Sequence, residues 1–180
     1  MYTRYTNRFT RVVSTGFTLV ELVVALAVVS ILLLMAAPSS VNMIASNRLS
    51  TQTNEIITLF FLARSEAINR SAEVRVVPAD PADWSLGISV VADTNKDGDF
   101  TDGVDTLRIA SALEGNSLFT ADGANSLSNP YVAFNSRGAL LATGDIFSFQ
   151  LTDPACTGTQ AHLITVATTG RASSTRIICP

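Results

Sequence analysis

The sequence predicts an α+β protein in which one long N-terminal helix packs on a globular domain built from an antiparallel β-sheet. Two observations predict this fold. Apolar residues fill a run from Gly16 to Ala37 and then recur every three or four positions as far as Asn69, which is the period of a helix. After Ser71 the chain changes to short alternating or apolar runs separated by turn residues, which is typical of antiparallel strands.

The first half of the predicted helix, residues 17–37, is long and apolar enough to be a transmembrane helix. It holds one carboxylate, Glu21, near its start. A carboxylate in hydrocarbon is costly unless a partner neutralises it, so this acid is interpreted as functional. The alternative is an ordinary single-span anchor with an incidental acid.

Residues 1–16 form a short leader that carries Arg4, Arg8 and Arg11 and no acidic residue. The positive-inside rule therefore places the leader on the cytoplasmic face. The sequence changes character between Gly16 and Phe17, before the apolar run, whereas a secretory signal peptide is cut after its apolar segment. Cleavage at this point would leave the apolar segment on the mature protein, with a free amine at Phe17.

The second half of the helix, residues 38–70, is predicted to be its amphipathic continuation. It begins at Pro38, and its apolar residues recur at steps of four, three and four, at Ile56, Phe60, Ala63 and Ala67. Residues 71–180 are predicted to form one β-rich domain. Its expected strands are 73–77, 86–92, 106–110, 131–134, 146–151 and 163–167.

Composition and motifs exclude several classes of function. Without the three leader arginines, the chain from Phe17 has nine basic and fifteen acidic side chains, and this net charge of −6 would repel nucleic acid overall. We find no nucleophile elbow, phosphate-binding glycine loop or metal-binding histidine cluster, so catalysis is not expected. The one histidine, His162, lies in an alternating segment and is predicted to face solvent on a strand. Asp80, Asp83 and Asp153 lie near prolines and are predicted to be solvated in surface loops.

The chain has two cysteines, Cys156 and Cys179, in a part that is expected to lie outside the cytoplasm. A disulfide is permitted in that compartment and would hold the carboxyl tail to the preceding segment. The alternative is two buried thiols. No Cys-x-x-Cys or histidine pair supports a metal site.

The segment G-F-T-L-V-E from Gly16 to Glu21 resembles the processing signature of type IV pilin and pseudopilin precursors. Four later segments resemble the FimT/GspH family of minor pilins and pseudopilins: A-R-S-E-A-I-N-R at 63–70, W-S-L-G-I-S-V-V-A-D-T-N-K-D-G at 84–98, F-N-S-R-G at 134–138 and T-T-G-R at 168–171. The resemblance implies a pilin-like fold in a structural subunit without a cofactor. It also implies a single pass through the inner membrane, a periplasmic domain and incorporation into a pilus or pseudopilus.

The resemblance further implies roles for three residues. A prepilin peptidase would cleave between Gly16 and Phe17 and methylate the new amine at Phe17. Glu21 would then pair with the amine of a neighbouring major or minor pilin or pseudopilin. Two opposite charges in a low-dielectric site relieve each other's desolvation, which agrees with this role. The alternative function is that of a type II secretion pseudopilin of the GspH type, which acts in protein export.

The carboxyl tail suggests double-stranded DNA as a further partner. Some FimT proteins of competent bacteria resemble this tail and bind DNA through a glycine-arginine motif with a second arginine two residues on. Here Gly170 and Arg171 are kept, but the next arginine is Arg176. Residues five apart on a strand face opposite sides, so Arg171 and Arg176 would reach one phosphate track only if residues 172–175 form a turn.

An acidic segment resembles the first half of a calcium loop, because oxygen-bearing residues alternate at Asp93, Asn95, Asp97 and Asp99. Val104 stands where a bidentate glutamate is required, although Asp102 or Asp105 would complete a looser site. The flanking segments also read as strands. The pattern therefore favours a polar hairpin loop, with Ca²⁺ binding as the alternative.

Overall fold

The computed structural model describes residues 16–95, 97–101, 105–122, 131–141 and 146–180, with the side chains of 34–41 and of Asp122 outside this description. The leader before Gly16 and residues Asp102 and Val104 of the acidic segment lie outside the described residues. The chain divides into two compact units, Met1–Pro38 and Ser39–Pro180.

Helix α1 spans Leu19–Arg70, as the apolar periodicity predicts. Thr18 caps its amino end, because the Thr18 hydroxyl accepts a hydrogen bond of 3.2 Å from the Glu21 amide. Its carboxyl end is a Schellman turn in which Ser71 adopts a left-handed φ of 53° and the Ala72 amide donates to the Ala67 carbonyl at 3.2 Å. Both ends of the helix are therefore fixed by local hydrogen bonds.

The amino-terminal unit consists of the first part of α1. Every side chain from residue 19 to residue 33 is exposed, including Leu19 at 79% and Leu33 at 65%. Within the residues that the structure describes, no helix reaches the length and hydropathy of a membrane span.

In the second unit, α1 is followed by antiparallel strands. They are β1 (Val74–Asp80), β2 (Asp83–Ala92), β3 (Thr106–Ala110), β4 (Leu118–Asp122), β5 (Val132–Phe134), β6 (Phe147–Thr152), β7 (Ala161–Val166) and β8 (Ala172–Ile177). The described strands form two four-stranded sheets, in the orders β3-β2-β1-β5 and β4-β6-β7-β8. The α+β class is confirmed, but the domain contains two sheets, and strands β4 and β8 were not predicted.

The core lies where α1 meets the two sheets. The four helix positions predicted by periodicity are all buried, at Ile56, Phe60, Ala63 and Ala67. Aromatic rings join the helix to both sheets, since the Phe149 ring lies 5.9 Å from Phe60 and 4.9 Å from Trp84, centroid to centroid. The buried apolar residues of the described chain all lie in this second unit, between Ala45 and Ala172. It therefore carries its own core.

Three sequence interpretations are wrong. Asp83 does not lie in a surface loop but is half-buried at the start of strand β2, where its carboxylate accepts a hydrogen bond from the Ser85 amide. His162 is only 7% exposed, because β7 turns it toward the core face, in the same row as the buried Ile164 and Val166. Asp153 is only 6% exposed, because it forms an ion pair with Arg48 of α1. The Asp80 side chain is exposed and accepts a bond from the Ala82 amide, as expected of a turn residue.

The predicted disulfide between Cys156 and Cys179 is present, with 5.9 Å between the two Cα atoms. A backbone hydrogen bond of 2.9 Å from the Cys179 amide to the Gly158 carbonyl supports it. The disulfide ties the chain after β8 to the turn after β6.

Candidate functional site

The amino-terminal candidate site combines Gly16, Phe17 and Glu21 at the start of α1. The Phe17 side chain is 84% exposed, and Glu21 is exposed in the first turn of the helix. Thr18 and Glu21 also have the spacing of a capping box, T-x-x-E, and the bond from the Glu21 amide to the Thr18 hydroxyl is its first half. Sequence reasoning missed this structural role, although the spacing was visible.

The capping geometry bears on what Glu21 can do chemically. A carboxylate in the first turn of a helix is stabilised by the positive end of the helix dipole. Between residues 19 and 33 the chain has no basic residue, so this part of the helix offers Glu21 no cationic side chain. Glu21 is thus an exposed carboxylate within an exposed apolar surface, where a cation from another molecule has access.

The two late signature segments meet each other and α1. Gly138 of F-N-S-R-G and Gly170 of T-T-G-R both adopt left-handed φ angles, 74° and 77°. A Cβ atom on Gly170 would lie 1.8 Å from the Gly138 carbonyl oxygen, so only glycine permits this contact. The Arg64 Nε group donates to the same oxygen at 3.0 Å. These motifs therefore fasten two turns to the helix.

The two candidate DNA-binding arginines both lie at strand β8. Arg171 immediately precedes the strand and Arg176 lies on it, and both are exposed. Residues 172–175 belong to the strand, so the turn that a shared phosphate track requires is absent from this described segment. On a regular strand the two guanidiniums face opposite sides. DNA binding therefore stays a prediction, and residues 172–175 do not form the turn on which it depended.

Arg176 lies beside the buried histidine. The strand register pairs Arg176 with His162. Burial lowers the pKa of the His162 imidazole, and the positive charge of Arg176 lowers this pKa further. Both effects favour the neutral imidazole. We interpret His162 as a buried structural side chain.

The acidic segment forms the loop between β2 and β3. Of the four predicted ligands, Asp93 and Asp97 lie near each other, and they are joined by the buried Asp105, with one carboxylate oxygen of each residue within 4.8 Å of the others. Backbone amides already bind some of these carboxylate oxygens, since Asp93 accepts hydrogen bonds from the amides of Asp97 and Gly98.

The other two predicted ligands take part in local turns. The Asn95 side-chain amide donates to Asp97 at 2.8 Å, and Asp99 accepts bonds from the Thr101 hydroxyl and amide. The hydroxyl bond is the main reason that the pKa of Asp99 is lowered. A polar hairpin loop describes this region, and calcium binding stays a prediction.

The capped apolar helix, the two antiparallel sheets and the amino-terminal motif define a pilin-like subunit. Family comparisons agree. The chain belongs to the family of the type II transport protein GspH, whose model matches residues 52–170. The prokaryotic N-terminal methylation motif matches residues 13–37. The FimT/GspH resemblance is thereby confirmed at the level of a minor pilin or pseudopilin family, whose members are structural subunits.

Crystal structures of a type IV minor pilin show the same fold. The type IV minor pilin FimU of Pseudomonas aeruginosa strain PAO1 is similar, with a TM-score of 0.57, 18% identity, and coverage of 74% of this chain and 90% of FimU. A second crystal form of FimU gives a TM-score of 0.55 at 17% identity, covering 71% and 92%. The minor pseudopilin EpsH from the type 2 secretion system of Vibrio cholerae has a TM-score of 0.47 at 12% identity, covering 73% and 97%. Comparison with curated proteins finds no match.

Proposed function

We propose that this chain is a minor pilin or pseudopilin that joins a filament after prepilin peptidase cleaves it between Gly16 and Phe17. The observation that carries the proposal is the position of Glu21, in the first turn of a helix that is exposed and apolar around it. Cleavage would release an amine at Phe17, which methylation keeps basic. The amine of one subunit then pairs with Glu21 of its neighbour.

Physical chemistry supports this pairing. An isolated carboxylate and an isolated amine each lose hydration when apolar helices pack together, and neither loss is compensated alone. When the two charges meet in the same low-dielectric site, their attraction offsets both losses. The pairing also favours one axial register between adjacent helices, because a shift of one helical turn, about 5.4 Å, separates the charges.

The membrane anchor is part of the same proposal. Residues 17–37 cross the inner membrane once before assembly, and the domain from Ser39 onward lies in the periplasm. The exposed apolar surface of residues 19–33 supports this, because such a surface in water is unfavourable and lipid would cover it. The Cys156–Cys179 disulfide supports a periplasmic location, where disulfides form and persist.

The assembly role is tested by Glu21→Ala in the native host. The variant should be cleaved and reach the membrane at normal levels but be absent from purified filaments. Glu21→Asp keeps the charge and should retain part of the incorporation. Glu66→Ala removes an acid that is ion-paired with Arg70 on the domain part of α1, and should leave incorporation unchanged. Normal incorporation of Glu21→Ala would refute the pairing.

Two filament systems use subunits of this kind. The matched family is described as a type II transport protein, which favours a pseudopilus that acts in protein export. The alternative is a type IV pilus, to which a FimT-like role would belong. Deletion of the gene distinguishes them: loss of exoprotein secretion with normal pili supports the first, and loss of pili with normal secretion supports the second.

A further inference from the structure

A groove runs between α1 and strand β3 in the second unit. Its wider part has a volume of about 590 Å³ and is lined by one face of α1, the end of β3 and residues 111–114. A second part of about 460 Å³ continues along the helix to Leu62. Both parts share Glu55 and Arg108, so they lie end to end. We call this feature the α1–β3 groove.

The length of the groove suits an extended chain. From Ile44 to Leu62 the helix rises about 27 Å at the usual rise per residue. An extended polypeptide of about eight residues covers this distance.

Two side chains that line the wider part each carry a buried polar atom without a hydrogen-bond partner among the described residues. Gln52 is only 5% exposed, and its Nε2 group donates to the Glu114 carbonyl at 3.0 Å. A carbonyl cannot donate, so this bond fixes the orientation of the amide and leaves Gln52 Oε1 as an acceptor without a donor. One turn earlier, Arg48 Nε is a buried donor without an acceptor, although Arg48 Nη2 binds Asp153.

A peptide group carries one N–H donor and one C=O acceptor, which are the two kinds of partner that these atoms lack. The opposite wall provides further main-chain groups, since β3 is an edge strand of its sheet in the described structure. Edge strands pair readily with an added strand from another chain. Ile44 and Ile109, which are 64% and 67% exposed, line the groove and would contact alternate side chains of that strand.

Charge narrows the class of ligand. Glu55 and Arg108 line the point where the two parts of the groove join, and the pair is neutral overall. Arg48 is neutralised by Asp153. A strongly charged ligand therefore gains little, whereas an extended segment of low net charge, with an acidic side chain toward Arg108 and a basic one toward Glu55, is complementary.

We propose that the α1–β3 groove binds an extended segment of a different, neighbouring filament subunit, which adds to β3 as a further strand. This inference rests on the proposed function, because α1 is the helix with which such a subunit packs into its filament and the groove continues along that same helix. The main-chain groups of the added strand pair with those of the free edge of β3.

The proposal is tested by photo-crosslinking of the full chain in its native host. The photo-reactive amino acid p-benzoylphenylalanine replaces Ala112, which is exposed and lines the groove. Illumination of assembled filaments should give an adduct that mass spectrometry maps to a strand-forming segment of another pilin-type subunit. Thr51→Trp fills the groove from the helix side and should reduce the adduct at least tenfold. The matched control Asn47→Trp lies one turn away, outside the groove lining, and should leave the adduct unchanged.

Several results would overturn the proposal. The first is an adduct that maps to a helix, to a second copy of this chain or to an exported protein. The second is an adduct that persists in Thr51→Trp. The third is the absence of an adduct at position 112 when the same probe at Phe61 reacts. Phe61 is 46% exposed and lies on α1 outside the groove lining, so it reports filament packing independently. Absence of the chain from filaments, seen by immunogold labelling, would overturn the proposed function as well, whereas loss of the position 112 adduct alone leaves that function intact.

Discussion

The buried ion pair between Arg48 and Asp153 should contribute strongly to the stability of the domain. It joins residues 105 positions apart and links α1 to the turn that carries Cys156. The exposed fractions of the two side chains are 27% for Arg48 and 2% for Asp153. Removing one partner of a buried pair costs about 3–5 kcal/mol, because the other charge is left buried and uncompensated. Since Arg48 keeps some contact with water, we expect the lower value, about 3 kcal/mol, for Arg48→Met.

The measurement is thermal unfolding of a soluble fragment from Ser39 onward, which contains the described core, followed by circular dichroism. For a domain of this size, about 3 kcal/mol corresponds to a decrease in midpoint of about 10 °C. Asp153→Asn should cost less, because its side chain still accepts the 2.8 Å bond from the Ala155 amide that Asp153 Oδ1 accepts now.

The matched control is Arg70→Met. Arg70 pairs with Glu66 one turn away on the same helix, but the exposed fractions of these side chains are 40% and 26%. Such a pair contributes about 0.5 kcal/mol or less. If Arg48→Met and Arg70→Met lower the free energy of unfolding by the same small amount, the reasoning about the buried pair is refuted.

Four further predictions concern other parts of the second unit. The pKa of His162 is lowered from its usual 6.5, so the unfolded chain binds the extra proton, and stability should be complete above pH 6.5 and decrease as pH falls below it. His162→Gln should reduce this pH dependence in urea unfolding, and an unchanged profile would contradict the assignment. Gly170→Ala should destabilise more than Gly158→Ala, because an added Cβ meets the Gly138 carbonyl in the first case and open space in the second, although φ is positive in both. If the domain binds double-stranded DNA in gel-shift assays, Arg171→Ala and Arg176→Ala should each weaken binding independently and reduce its salt dependence, whereas unchanged affinity would exclude both residues. The hairpin interpretation of the β2–β3 loop predicts that calcium leaves the unfolding midpoint unchanged, and an increase that a chelator reverses would establish the calcium alternative.

Local patterns predicted the regular elements of this chain well. The helix period placed Ile56, Phe60, Ala63 and Ala67 in the core, and all four are buried. Strand β3 has the predicted bounds, Thr106–Ala110, because apolar and β-branched residues concentrate there. Strand β8 was missed because its sequence, A-S-S-T-R-I, is polar and mostly exposed, with Ala172 as its one buried residue. An edge strand of this kind lacks the alternation on which sequence reasoning depends.

Some features of the candidate sites likewise follow from local sequence, whereas others depend on the tertiary structure. The positions of Gly16, Phe17 and Glu21 follow from a contiguous motif, and their expected roles follow from its resemblance to pilin precursors. The joining of Asp105 to Asp93 and Asp97, by contrast, depends on how strands β2 and β3 bring the two ends of their loop together. The burial of Gln52 beside the α1–β3 groove has no sequence signal, because an exposed glutamine and a buried one look alike in a helix.

The sequence by itself determined where the long helix runs, which of its faces is apolar, and where a processed amino terminus and a counter-charge would lie. These properties depend on residues within a few positions of each other, whose relation the backbone fixes. Only the tertiary structure decided that His162 faces inward, that Asp153 is paired with Arg48 and that the residues between Arg171 and Arg176 belong to strand β8 and form no turn. Each of these depends on strand register or on contacts between distant segments, which alternation and composition do not specify.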